Sequence, residues 1–365
     1  MIKISDGKIG TREFTALILH MIAIKFTDTT PALLISLGKN AAWMIPIFSS
    51  LIIGVPFLVL LSLLKKHNQG LMELVFGLAG KKIGSIIGLV LFLVMFGGTV
   101  INTRIYVGIV NTMFYQKTPV PYLLLMLLAF SYFLANRGME TIGRTAWIVT
   151  PYVFPISLLL IILVRDEMDW VHIFPIAGPG ITELVKNSFT HSSIFGEIII
   201  LAAFLPFVRS YKDFRLSSFI GFGIASLQIA VFTALYVMVF DYPAAQHLAY
   251  PFQDLTRAAS IGEIITHAEA IFLGFWVISS VIHFAIYLYI AAFLFGRALR
   301  LNEFEPLLLP LAGLVVLLGL IPDNTILVNQ YRQLFLQASS GIVFLLPFLL
   351  WMLDRWKGRV NIERP

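Results

Sequence analysis

Apolar stretches about as long as a bilayer-crossing helix follow one another along this chain, separated by short polar gaps. A span needs roughly 20 apolar residues. By that criterion ten segments read as membrane helices, at about 12–37, 42–64, 83–114, 119–135, 145–164, 191–210, 216–240, 264–296, 306–322 and 335–353. The pattern predicts an all-α polytopic membrane protein with one transmembrane domain over 1–365. Spans three and eight exceed the minimum and should tilt or project beyond the bilayer. Longer loops are expected only at 165–190 and 241–263, with no soluble domain at either end. Residues 1–12 are polar and no small-residue cleavage site follows a short apolar core, so no cleavable signal peptide is expected.

The first segment is interrupted inside the span. Lys25, Asp28 and Pro31 fall within the run Lys25-Phe26-Thr27-Asp28-Thr29-Thr30-Pro31. A cation in hydrocarbon is costly and marks function by default. A broken helix at membrane depth is tolerated only where protein buries it or it lines a wet cavity. Such discontinuous helices build the midplane binding sites of secondary transporters. Thr30 or Asp28 can cap a new helix, and Pro31 suits its first turn. The new N-terminus offers free amide donors and a positive dipole end to a carboxylate. Asp28 offers a partner to an ammonium. Lys25, Thr27, Asp28, Thr29 and Thr30 are therefore candidate ligands for a zwitterionic amino acid. The competing reading is that Lys25 and Asp28, three apart, pair with each other and close the break.

Composition agrees with a membrane protein: 58% hydrophobic, 13% charged, mean hydropathy +0.88, against about 25% charged in soluble domains. There is no cysteine, which excludes disulfides and thiolate metal sites. The net charge of +6 is explained by topology. With a cytoplasmic N-terminus, the inner loops and ends hold 18 Lys and Arg, and the outer loops hold six: Lys39, Lys117, Arg165, Lys186, Arg257 and Arg332. Lys25 and Arg104 remain in the membrane and complete the 26. This is the positive-inside bias, with both termini cytoplasmic.

Ten spans divide into halves of five, about 12–164 and 191–353. An odd number per half makes the second half enter from the opposite side, giving a LeuT-like 5+5 inverted repeat with discontinuous helices 1 and 6. Each half's first span carries a breaker expected near mid-depth, Pro31 and Pro206, the latter in Ala202-Ala203-Phe204-Leu205-Pro206. Phe204 joins the candidate lining on that basis.

Three further polar positions lie in the spans. Arg104, a candidate ligand together with Tyr106, has Asn102 and Tyr106 two residues to either side, so the three do not share one face. Its guanidinium suits a ligand carboxylate. Alternatively it bridges to Asp28 or Glu197, or snorkels outward. Glu197 can protonate, hold an ion or bond a broken backbone. Together Lys25, Asp28, Arg104 and Glu197 make two cations and two anions, able to neutralise one another in one cluster. His283 reads as a packing histidine, and His267 and Glu269 as interfacial.

The chain carries no His-Glu-x-x-His, no Gly-x-Ser-x-Gly turn and no phosphate-binding loop. No enzyme, metal, cofactor or nucleic-acid partner is expected. Its basic clusters are anchors at the bilayer surface.

Phe195-Gly196-Glu197 followed by Pro206, Pro31 in span one, and Asn40-Ala41-Ala42-Trp43 opening span two carry a resemblance. In their order and spacing over nearly the whole chain, they resemble the spore germination permeases. These are the GerAB-like B subunits of endospore germinant receptors, in the amino acid–polyamine–organocation superfamily. The chain departs from that pattern at residues 25–30, where such permeases usually have a small, glycine-containing apolar stretch. The resemblance implies a germinant-sensing subunit in the bacterial cell membrane or spore inner membrane, with receptor A and C subunits as partners. It implies a small germinant, an amino acid, bound at mid-membrane between helices 1, 3, 6 and 8. The alternatives are an autonomous amino acid transporter, proton-coupled through Glu197 or Asp28, and a partner-gated channel.

Overall fold

The structure, a computed structural model, describes residues 7–259 and 269–362. The described residues form helices and short connections, with one isolated parallel β-bridge between Ile9 and Val208. In chain order the helices are α1 (Thr11–Ile22), α2 (Thr30–Gly38), α3 (Met44–His67), α4 (Leu71–Met113), α5 (Val120–Ala135), α6 (Met139–Leu163) and α7 (Ile181–Thr190). They continue with α8 (Glu197–Ile200), α9 (Tyr211–Phe240), α10 (Tyr242–Ala245), α11 (Pro251–Ala258), α12 (Glu269–Ala298), α13 (Leu308–Gly319) and α14 (Thr325–Ile362).

Six of these helices are long and apolar enough to cross a membrane: α3, α4, α6, α9, α12 and α14. The first segment makes a seventh if its two parts, bent by 60°, count as one. The other three expected spans appear as shorter apolar helices, Val120–Ala135, Glu197–Phe207 and Glu305–Gly319. Ten full-length spans are therefore more than the helix lengths support. The hydropathy pattern counts apolar residues whether or not they share one uninterrupted helix.

Two segment boundaries also move. Residues 71–79, expected as part of an inner loop, belong to α4. Gly80 breaks that helix with φ +77 and ψ 178, a backbone region essentially open to glycine alone. Span ten starts ten residues earlier than hydropathy indicates, because Thr325 opens α14 directly after Asp323 and Asn324.

α12 occupies the centre. It is apolar on every side, and the whole run from Ile282 to Leu294 is buried, as expected of a helix enclosed by others. α4, α5, α6 and α1 pack around it, and α9 flanks α1 on the other side. α14 lies against α3, α4 and the 3-10 turn Ser192–Phe195.

The segment at 191–210 is discontinuous, but Pro206 does not break it at mid-depth. It consists of the 3-10 turn Ser192–Phe195, the single turn α8 and the 3-10 helix Leu201–Phe207. Pro206 comes at its far end. There Ile9 N donates to Phe207 O at 2.9 Å, and Arg209 N donates to Ile9 O at 3.0 Å, level with the start of α1.

Candidate functional site

The break in the first segment is built residue by residue. After α1 the chain tightens into a 3-10 turn, Ala23–Thr27. Thr27 Oγ1 donates back to Ile24 O at 2.6 Å. Asp28 is extended, and its Oδ1 accepts from Thr30 N at 2.5 Å, so it serves the first turn of α2. Pro31 then costs no hydrogen bond, since that N–H would lack a helical partner anyway. Carbonyls freed by the break find side chains. Phe26 O accepts from the Tyr236 hydroxyl at 2.8 Å, and Thr27 O from Gln253 Nε2 at 3.2 Å. Trp276 Nε1 donates to Thr27 Oγ1 at 2.8 Å, and His283 Nδ1 to His20 O at 2.9 Å. In hydrocarbon each unpaired backbone group would cost several kcal/mol, so these bonds hold the break open at a fixed angle.

Two ion pairs cross this break. Lys25 Nζ lies 2.5 Å from Glu197 Oε1 and donates also to Ile194 O. The Tyr287 hydroxyl donates to the same Glu197 oxygen at 2.7 Å. Arg332, from α14, reaches Asp28 Oδ2 at 3.4 Å. Its Nη1 donates to Thr29 Oγ1 at 2.8 Å, and its Nη2 to Thr30 Oγ1. Lys25, Asp28 and Arg332 are 4%, 1% and 5% exposed, so each of these charges is compensated chiefly by its partner and not by bulk solvent. The competing reading, a direct pairing of Lys25 with Asp28, is not what forms. The tight turn sends them to different partners, one toward 197 and one toward 332.

Glu197 and Arg332 line one cavity of about 40 Å³ together with Lys25, Tyr287, Ser193 and Ser339. Such a volume holds a few waters. Glu197 Oε2 and Arg332 Nε are buried and have no hydrogen-bond partner among the described residues. The cavity thus joins an acceptor of negative charge to a donor of positive charge, each with capacity to spare.

The structure brings together Lys25, Thr27, Asp28, Thr29, Thr30 and Glu197. Tyr106 is adjacent: its ring stacks on Trp276 at 5.2 Å and on His283 at 5.6 Å. Arg104 is elsewhere, in none of the ion pairs among the described residues. The cation opposite Asp28 is Arg332, and Arg104 neutralises neither carboxylate. Phe204 also lies apart, in an aromatic group with Phe207, Tyr289 and Phe293. His283 is a packing and bonding histidine in the core. Glu269 pairs with Arg257 at 3.2 Å, partly exposed, and His267 lies outside the described residues.

Arg332 was assigned above to an outer loop; it is two turns inside α14. Removing it leaves the outer loops five basic residues, so the charge bias stands. Asp323-Asn324-Thr325 is a helix-start pattern that places Arg332 within the helix. Tyr287, Gln253 and Trp276 had no comparable signal, since an aromatic or amide in a span is most often packing.

A bundle of apolar helices that encloses a broken helix with buried charges and a small polar cavity points to a polytopic helical membrane protein. The family model described as "Spore germination protein" matches residues 8–326. The chain belongs to that spore permease family. It is similar to Spore germination protein A2 of Bacillus subtilis, 26% identical over 317 residues and covering 84% of each chain. It is also similar to Spore germination protein KB of the same organism, 22% identical over 260 residues and covering 68% of each chain.

Proposed function

We propose that this protein is a permease-like germinant-sensing subunit of a spore germination receptor, and that it binds a small zwitterion, an amino acid, at the broken-helix cavity. The observation that carries the reading is the pair of unfilled bonding positions at one cavity, Glu197 Oε2 and Arg332 Nε. A ligand ammonium would take the first and a ligand carboxylate the second. At about 40 Å³ the cavity is smaller than an amino acid. Binding therefore has to part its walls, which are the broken segment, the 192–200 pieces, α4, α12 and α14. The ligand would compete with the Lys25 and Arg332 ion pairs, and this gives occupancy a means to shift the break and α14.

In this reading the ten apolar segments form two inverted halves of five, both termini face the cytoplasm, and the membrane is the spore inner membrane. The A and C subunits of the receptor would carry the signal onward. Family membership and the similarity to proteins named for spore germination support the setting. The test is binding of amino acids to the purified protein, followed by flux in liposomes. Binding without flux fits a sensor, whereas flux by the isolated chain would favour an autonomous transporter.

A further inference from the structure

Arg104 is the one buried cation of the first half that the central site does not use. It is 8% exposed, its Nε is buried without a hydrogen-bond partner, and among the described residues its guanidinium makes no ion pair with a carboxylate. It lines a groove of about 280 Å³ between α4, α13 and α14, walled by Val100, Ile101, Leu318, Ile321 and Val328. Leaving a guanidinium unpaired among such side chains is costly, so the groove asks for an oxyanion.

Two features say what kind. Arg104 lies nine residues, about 14 Å of helix rise, from the end of α4 at Met113. That exceeds a side chain's own reach, so a headgroup has to enter the groove to meet the guanidinium. The mouth of the groove lies beside the end of α13 at Gly319 and Pro322, and its rim residues Ile321 and Tyr331 are 65% and 47% exposed. Those exposed apolar walls would face acyl chains. A free amino acid would find one charged partner there and nothing for its ammonium. An anionic headgroup joined to hydrocarbon would satisfy both the guanidinium and the walls.

We infer that this groove is a binding site for an acidic phospholipid, whose phosphate is held bidentately by Arg104 and whose chain runs along α13 and α14. The site is distinct from the central cavity, although Ile101 lines both.

The experiment is native mass spectrometry of the full-length protein after detergent delipidation, with melting curves on readdition of phosphatidylglycerol, phosphatidylcholine or inorganic phosphate. The wild type should retain one phosphatidylglycerol, and readdition should raise its Tm. Arg104→Gln should lose the retained lipid. Leu318→Trp, which fills the mouth without touching the charge, should lose it as well, and this keeps the test open if Arg104→Gln folds poorly. Equal phosphatidylglycerol retention by wild type and Leu318→Trp would overturn the proposal. An equal Tm rise with phosphatidylcholine would do the same, and a rise with inorganic phosphate alone would mark a soluble-anion site instead.

Discussion

Arg332 and Asp28 are 304 residues apart in sequence, and their side chains meet at 3.4 Å in the buried core of the bundle. The same guanidinium bonds Thr29 and Thr30, so a single side chain of α14 holds three consecutive residues of the break. Lys25, three residues upstream, is held by Glu197 instead. The broken segment is thus tied to both later elements, one charge to each.

The first prediction concerns that tie. Arg332→Gln should destabilise the protein by roughly 3–5 kcal/mol, because it leaves Asp28 charged and unpaired in low dielectric. Asp28→Asn should do likewise. Combining them should recover much of the loss. Thermal unfolding in detergent reads all three, and a double variant as unstable as the sum of the singles would show that the two residues are not coupled.

The second concerns the other pair. Tyr287→Phe removes one bond to the Glu197 carboxylate and should cost roughly 1.5–3 kcal/mol, the range for a hydrogen bond to a charged group. Phe293→Leu, on the same helix but in the aromatic group with Phe204 and Phe207 away from the ion pairs, serves as a packing control. If Tyr287→Phe melts at the wild-type temperature, the hydroxyl is not holding the carboxylate.

How much of this was legible beforehand depends on local density of signal. The break announced itself because a cation, an anion and a proline fall within residues 25–31 of an apolar run. Arg332 did not, because its neighbours Asn329, Gln330 and Gln333 lower local hydropathy and mimic a loop. Pro206 misled for the opposite reason: a proline within an apolar run reads as a mid-span breaker, whereas here it ends the segment. Which cation meets which carboxylate is set by long-range packing of α14 and the 192–200 pieces, and no spacing rule reports that.

A third prediction uses glycine. Gly80→Ala forces a residue with a Cβ into φ +77 and ψ 178 and should cost roughly 1–3 kcal/mol, although no neighbouring atom lies within 4 Å. Gly313→Ala also meets open space, but it sits in ordinary helix and should be neutral or stabilising by up to about 1 kcal/mol. Comparing the two melts isolates backbone strain from packing. Equal behaviour would mean that α4 runs straight through residue 80.

Topology gives a fourth. With no cysteine in the chain, single substitutions label cleanly. A cysteine at Lys186 should react with an impermeant maleimide from the outer face, and one at Lys82 only from the cytoplasmic face. Labelling of Lys186→Cys solely from the cytoplasm would contradict the inverted arrangement of the halves.

The central claim is that Glu197 and Arg332 receive the two charged ends of one small ligand. The most direct measurement is the melting shift of purified wild type and Glu197→Gln across an amino acid panel, each tested beside its decarboxylated amine and its deaminated acid. The account predicts that at least one amino acid raises the wild-type Tm, that neither half-molecule does, and that Glu197→Gln, though folded, loses the response. An undiminished shift in Glu197→Gln, or a full shift from the amine or the acid alone, would contradict it.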